Sequence, residues 1–277
     1  MAGTPLHVTL AARAADAVED ERVRAIALRF FHDYSLGAVL FDLPYFDRLL
    51  GTGLALALRR PLRFHPFGAA LHRRAPAGFL LALLDRARSD PERALCFGAL
   101  THYAVDLVFH PEIERRLGDA KAAARDPDGL HRRLEDEMDL HCHFHLLGTS
   151  GIGTAYVRRA LRLEPSPGWA AFARGAMAAI HADPPAVRLL ASWRAQLALY
   201  GLTSSWGAAP WLKTLPADDP ELLARSVALA EEAISRSAAY IGAGARYVDG
   251  SLDRAGFLLE VPDRCALDGG PAEPADI

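Results

Sequence analysis

The sequence predicts an all-α protein, on three observations. Alanine, leucine and arginine, all strong helix formers, dominate the 277 residues. Apolar residues recur at spacings of three and four, the helical period, whereas alternating β-branched runs are nearly absent. Clusters of Gly, Pro, Ser and Asp then break the chain into helix-sized pieces.

The first helix is expected near 5–31 and the second near 44–58, with a break at Gly51-Thr-Gly53. A third spans 67–87 and stops at Ser89-Asp-Pro91. Asp90-Pro-Glu92 reads as the start of a helix over 91–108, with Pro at the first helical position, where its missing N–H costs nothing. A short helix over 110–117 follows, and Asp126-Pro-Asp-Gly129 opens another over 128–147. Helices near 151–162, 167–182 and 184–201 are separated by Glu164-Pro-Ser-Pro-Gly168 and Asp183-Pro-Pro185. The stretch 202–218, with two tryptophans, reads as a long irregular connection of the kind that packs over a site. A long helix over 219–247 comes last. Residues 1–260 are expected to form one domain and 261–277, rich in Pro, Asp and Gly, a flexible tail.

Half of the residues are hydrophobic and the net charge is −3. That balance gives no basic excess for nucleic acid and no acidic run for a disordered tail. Cys96, Cys142 and Cys265 are widely spaced and odd in number, so they form neither a disulfide framework nor a CxxC zinc pattern. Phe79-Leu-Leu-Ala-Leu-Leu84 is too short to cross a membrane and runs into Asp85 and Arg86. The first residues lack the basic and apolar regions of a secretory signal, so the expected compartment is the cytoplasm.

The chemistry concentrates in the first half, where ten of the eleven histidines fall within 145 residues. His102 and Asp106 are four apart, as are His131 and Glu135. Residues at i and i+4 share a helix face, about 5–6 Å apart at Cβ, which lets an imidazole and a carboxylate converge on one divalent cation. Either pair alone reads equally well as a solvated charge or a hydrogen-bonded core pair. Two pairs, with more His and Asp upstream, suggest a helical protein built around several metal ions. Imidazole and carboxylate suit zinc, and also iron or manganese. Metal-assisted hydrolysis of a phosphoester is the natural reaction class. The run His141-Cys-His-Phe-His145 lies more than a turn beyond Glu135 and is discounted; His32 and His181 have no companion pattern.

The order of these motifs resembles the zinc-dependent phospholipase C family, whose all-α fold is shared with fungal zinc nucleases. Leu6-His-Val-Thr-Leu-Ala-Ala-Arg-Ala-Ala-Asp16 is similar to its first helix and points to His7 as a ligand. Leu36-Gly-Ala-Val-Leu-Phe-Asp-Leu-Pro-Tyr-Phe-Asp47 resembles a segment ending in Gly-Pro-Asp and points to Asp42, with Phe41 in place of the proline. Ala70-Leu-His-Arg-Arg-Ala-Pro-Ala-Gly-Phe79 favours His72, with His65 as the alternative. Leu100-Thr-His-Tyr-Ala-Val-Asp-Leu-Val-Phe-His-Pro111 is the closest match and supplies His102, Asp106 and His110. His131-Arg-Arg-Leu-Glu135 supplies His131 and Glu135.

The resemblance implies a multi-helix bundle around two or three zinc ions, or another divalent metal. Asp106 would bridge two ions, and Asp42 would be both ligand and general base. It further implies hydrolysis of a phospholipid or small phosphoester by a metal-bound hydroxide, a reaction compatible with peripheral membrane contact, while the lack of an evident basic groove disfavours nucleic acid. A nuclease or nucleotide phosphoesterase on the same scaffold is the alternative, and a non-catalytic metal-binding scaffold is another. Secreted relatives use a mature N-terminal Trp as a ligand, where this chain begins with Met.

Overall fold

The computed structural model describes residues 4–48, 66–123, 127–147, 160–161, 164–181, 188–205, 220–266 and 270–274. Among them the chain is all-α, as its sequence predicts. The helices are α1 (Thr4–Ala17), α2 (Glu21–Arg29), α3 (Phe31–Gly37), α4 (Pro66–Arg73), α5 (Pro76–Leu84), α6 (Asp90–Ala123), α7 (Pro127–Leu147), α8 (Trp169–Ala178), α9 (Leu189–Ser205), α10 (Pro220–Val248) and α11 (Arg254–Glu260). A 3₁₀ turn covers Leu43–Arg48. The extended backbone among these residues is limited to two isolated bridges, Arg74 with Glu273 and Arg264 with Pro271. No helix of the described residues is long and apolar enough to cross a membrane.

The structure corrects several boundaries, each for a local reason. The helix expected over 5–31 is two helices, α1 and α2, and α3 begins at its last residue. The Asp20 carboxylate caps α2 by accepting from the Arg22 and Val23 amides at 2.8 and 3.2 Å, so α1 and α2 meet at a cap rather than running on. The 67–87 helix is two, because Ala75 takes a left-handed backbone (φ 41°) and Pro76 opens α5. Conversely, 91–108 and 110–117 are one helix: Pro111 sits inside α6, and the break falls later, at Gly118 (φ 37°, ψ −131°). At the start of α6 the Glu92 carboxylate accepts from the Ser89 amide at 2.9 Å, the return half of a capping box. Helix α11 is additional to the sequence reading. The connection expected over 202–218 starts later, since α9 runs to Ser205, and the described part of the helix expected over 44–58 is the 3₁₀ turn. Residues 206–218, 49–58, most of 151–162, and His65 lie outside the described residues.

Helix α6 is the spine, with α3 and α10 along it and α1, α2, α5 and α7 against it. A large apolar cluster centres on Tyr34, Leu40, Phe79, Phe97 and Tyr103, and a smaller one on Leu6, Leu10, Val105, Phe109, Met138 and Leu229. Both α1 and α6 contribute to each cluster, and His7, His102 and Asp106 lie along the same two helices. The α3–α6 crossing is a backbone contact: a Cβ on Gly37 would lie 2.0 Å from the Leu95 carbonyl oxygen, and one on Gly98 1.9 Å from that of Tyr34. The buried Tyr34 hydroxyl donates to the Ala11 carbonyl at 2.9 Å and adds a tie from α3 to α1.

The expected tail at 261–277 is, over 261–266 and 270–274, bonded to the α4–α5 turn, with the Ala75 amide donating to the Glu273 carbonyl at 2.9 Å. Gly98→Ala should force α3 and α6 apart and destabilise the protein by about 1–3 kcal/mol. Gly242→Ala, where a Cβ meets nothing within 4 Å, should stabilise α10 by about 0.5–1 kcal/mol through helix propensity. Urea denaturation of both variants checks the pair; equal midpoints would show that the crossing is not glycine-limited.

Candidate metal centre

All eight candidate residues gather at one place, from five separate segments. Helix α1 presents His7, the chain just before the 3₁₀ turn Asp42, α4 His72, α6 His102, Asp106 and His110, and α7 His131 and Glu135. The repeated four-residue spacing on α6 stacks His102, Asp106 and His110 along one face, each at most 1 % exposed. Asp106 is the hub. Its Oδ2 lies 3.1 Å from His102 Nε2 and 3.3 Å from His72 Nε2; its Oδ1 lies 3.3 Å from His7 Nε2 and 3.6 Å from His110 Nε2. Asp42 Oδ1 is 3.6 Å from His72 Nε2. At the far end Glu135 Oε1 is 2.9 Å from His131 Nε2 and 3.6 Å from His110 Nε2.

Three sets of side chains could each hold an ion: His7, His102 and Asp106; Asp42, His72 and His102; and His110, His131 and Glu135. Within each set the ligand atoms lie within 4.8 Å of one another. The tautomers support this. His72 Nδ1 bonds the Gly68 carbonyl at 2.7 Å and His102 Nδ1 the Ala38 carbonyl at 2.9 Å. A carbonyl only accepts, so each Nδ1 carries a proton, and in the neutral ring each Nε2 is a bare lone pair. Those two Nε2 atoms face each other at 3.3 Å. A proton between them satisfies one contact. The His7 and His110 Nε2 atoms, Asp42 Oδ2 and both Asp106 oxygens are also buried without a hydrogen-bond partner. Buried polar atoms left so are costly, and a set of bare lone pairs and carboxylate oxygens is the donor chemistry that zinc takes.

The electrostatics agree. Burial works to raise the Asp106 carboxyl, but the neighbouring His102 and His110 hold it well below the usual carboxylate range. Burial works to lower His102, yet Asp106 beside it draws a proton onto that ring, raised to about 9. Burial keeps His110 neutral, down to about 4, and lowers His7 as well. A cation binding at His102 Nε2 therefore displaces the proton on that ring.

Three neighbours were not among the sequence candidates. Glu114 Oε1 is 3.1 Å from His131 Nδ1, on the ring edge away from Glu135, and so fixes that imidazole as a carboxylate partner fixes a metal-ligating His. Its own four-residue spacing from His110 is the signal that could have found it. Phe41 stacks on His102 at 5.0 Å and meets His72 edge-on at 5.5 Å, while His7 stacks on His102 at 4.0 Å. The Tyr45 ring lies 5.9 Å from His72. Gly68 leaves room for it, since a Cβ there would come within 2.6 Å of the ring. Burial, then the charges of Asp42, Asp106 and Glu135, pushes the Tyr45 hydroxyl up.

The run at 141–145 joins none of the three sets. His145 is exposed, and His143 is buried with its Nε2 3.0 Å from the Thr9 hydroxyl. His181 packs edge-on against Phe67 at 5.1 Å. Burial lowers His143 to about 4. The unfolded chain takes up this proton near pH 6.5 and the folded chain only near pH 4. Stability should therefore fall as the pH drops through that window, by about 3 kcal/mol in all. His143→Gln should remove this share of the loss. Urea denaturation of both proteins at pH 7, 5.5 and 4.5 checks it, and parallel pH profiles would show that His143 is not held neutral.

No curated protein and no solved structure matches the chain. The family model of zinc-dependent phospholipase C matches residues 6–165, a span that contains all eight converging side chains and more than half of the sequence. The chain belongs to the zinc-dependent phospholipase C family.

Proposed function

We propose that the protein hydrolyses phosphodiesters of the phospholipid type, with His7, Asp42, His72, His102, Asp106, His110, His131 and Glu135 as zinc ligands. The family supports a metal-dependent phosphoester hydrolase. The observation that carries the residue assignment is the facing pair of His72 and His102 Nε2 atoms at 3.3 Å, framed by Asp42 and Asp106. Zinc bound there supplies Lewis acidity that polarises the phosphoryl oxygens and lowers the pKa of water.

The chain's own residues supply the rest. Asp42 Oδ2, buried and without a hydrogen-bond partner, takes the proton of the attacking water. A P–O bond forms to that water and the ester P–O bond breaks; the proton taken by Asp42 passes to the departing alkoxide, releasing the alcohol and a phosphomonoester. Asp106, whose oxygens lie within 3.6 Å of a histidine nitrogen from each of the three sets, would cancel positive charge that would otherwise drive ions apart. The burial of every ligand except His131 below 3 % keeps bulk water away and strengthens each electrostatic contact.

Residues 1–260 are read as one working domain. A cytoplasmic location is supported by the buried Cys96 and Cys142 thiols, neither of which forms a disulfide. A nucleic-acid substrate has less support: Arg73 is exposed and Arg74 is engaged by Glu273 at 3.2 Å, which suits a solvated face rather than a phosphate-tracking groove.

Asp106→Asn keeps the size of the hub and removes its charge. The variant should lose at least one zinc per chain and nearly all activity on bis(p-nitrophenyl) phosphate and phosphatidylcholine. Zinc by elemental analysis and initial rates decide it. Unchanged zinc and unchanged rates would reduce His102 and Asp106 to a hydrogen-bonded core pair.

A further inference from the structure

The turn that carries His72 is not complete in itself. Helix α4 has eight residues, too short to be stable alone, and its last carbonyls have no partners further along the helix. Ala75, just beyond it, is a non-glycine residue in the left-handed region at φ 41°, a backbone that persists only where its surroundings hold it. The partners for all of this come from the C-terminal end of the chain. The Ala266 amide donates to the carbonyl of His72 itself at 2.8 Å, and the Glu273 amide to that of Arg73 at 2.8 Å. The Ala75 amide donates to the Glu273 carbonyl at 2.9 Å. Asp263 Oδ1 accepts from the Ala77 amide at 2.9 Å, capping the first turn of α5.

The same segment is anchored to the spine beside another candidate ligand. The Tyr103 hydroxyl, next in sequence to His102, lies 2.7 Å from the Pro262 carbonyl and 2.9 Å from that of Arg264, and accepts from the Arg264 amide at 2.8 Å. The Tyr103 ring lies parallel to Phe41 at 6.5 Å, and Phe41 touches both His72 and His102. The Cys265 amide donates to the Gly270 carbonyl at 2.9 Å, so residues 261–266 and 270–274 are tied to each other where both reach the α4–α5 turn.

We propose that residues 261–266 and 270–274 position the metal centre: together they act as a strap that fixes His72 against His102, with Tyr103, Asp263 and the Ala266 amide as positioning groups. This rests on the zinc-ligand reading above. It adds that the centre is completed by a part of the chain outside the 6–165 family match. The strap touches the backbone of His72 rather than its ring, so it sets where Nε2 points without joining the chemistry.

The test uses the full-length chain. Ala266→Pro removes the N–H that holds the His72 carbonyl, and Tyr103→Phe keeps the ring but removes the hydroxyl anchor. Glu273→Gln alters only an exposed ion pair, worth little, and serves as control. Zinc affinity is measured by chelator competition, with the visible spectrum of the cobalt-loaded protein and thermal midpoints alongside. Expected are a loss of zinc affinity of about 10-fold or more and a changed cobalt spectrum in Ala266→Pro and Tyr103→Phe, with Glu273→Gln like the parent. Lowered thermal midpoints with parental zinc affinity and cobalt spectrum would overturn the proposal and leave the strap a purely structural clasp. A variant too unstable to purify shifts the decision to the other one. A parent chain that takes up no zinc would overturn the ligand reading instead, a result the parent measurement alone reveals.

Discussion

The carboxylate of Asp106 sits at the middle of the protein, 1 % exposed and with four imidazole nitrogens within 3.6 Å. A charge so far from water is tolerable only if opposite charge or good hydrogen bonds surround it. The imidazoles answer that need in two ways: His102 as a protonated partner in the bare protein, and the rings together as co-ligands when a cation supplies the charge. Everything that brings those rings in has to hold position against the penalty of leaving Asp106 alone.

The architecture follows from that demand. One residue comes from α1, one from the chain before the 3₁₀ turn, one from α4, three from α6 and two from α7. Since α6 alone supplies a continuous row, the other elements must be brought to it by packing. The large and small apolar clusters both run along α6, so burial of apolar surface and assembly of the polar centre are one event. Carbonyls of the scaffold, Gly68 and Ala38, then turn two of the rings so that their lone pairs face inward.

Helicity was legible because its period of 3.6 is written locally in every segment. The same local periodicity makes His102, Asp106, His131 and Glu135 visible as candidates, each pair on one helix face. The positions of helix ends were less legible. Pro111 marks a stop by local rules, yet α6 runs through it, because tertiary packing on both flanks outweighs one lost hydrogen bond. Asp20 was a readable cap, masked by strong helical periodicity on either side. Contacts between remote residues left no local trace at all. Nothing near Ala75 in the sequence announces that Glu273 will hold it, and nothing near His131 except the spacing of His110 and Glu114 marks its carboxylate partner. His7, Asp42 and His72 became candidates through resemblance to a family, not through any pattern of their own.

The glycine crossing of α3 and α6 bears on how freely the chain can drift. Side chains that interdigitate can be exchanged for others of similar volume, and helices packed through them slide by an ångström or two as they do. Gly37 and Gly98 leave no side chains between the two backbones, so nothing there is open to exchange. The Ala38 carbonyl that turns His102, and Asp42 four residues beyond it, inherit their placement from this contact. Apolar positions elsewhere in the interior are thereby released from guarding the geometry of the centre. Among sequences sharing this fold, the interior is expected to vary widely in composition while these two positions stay without a Cβ.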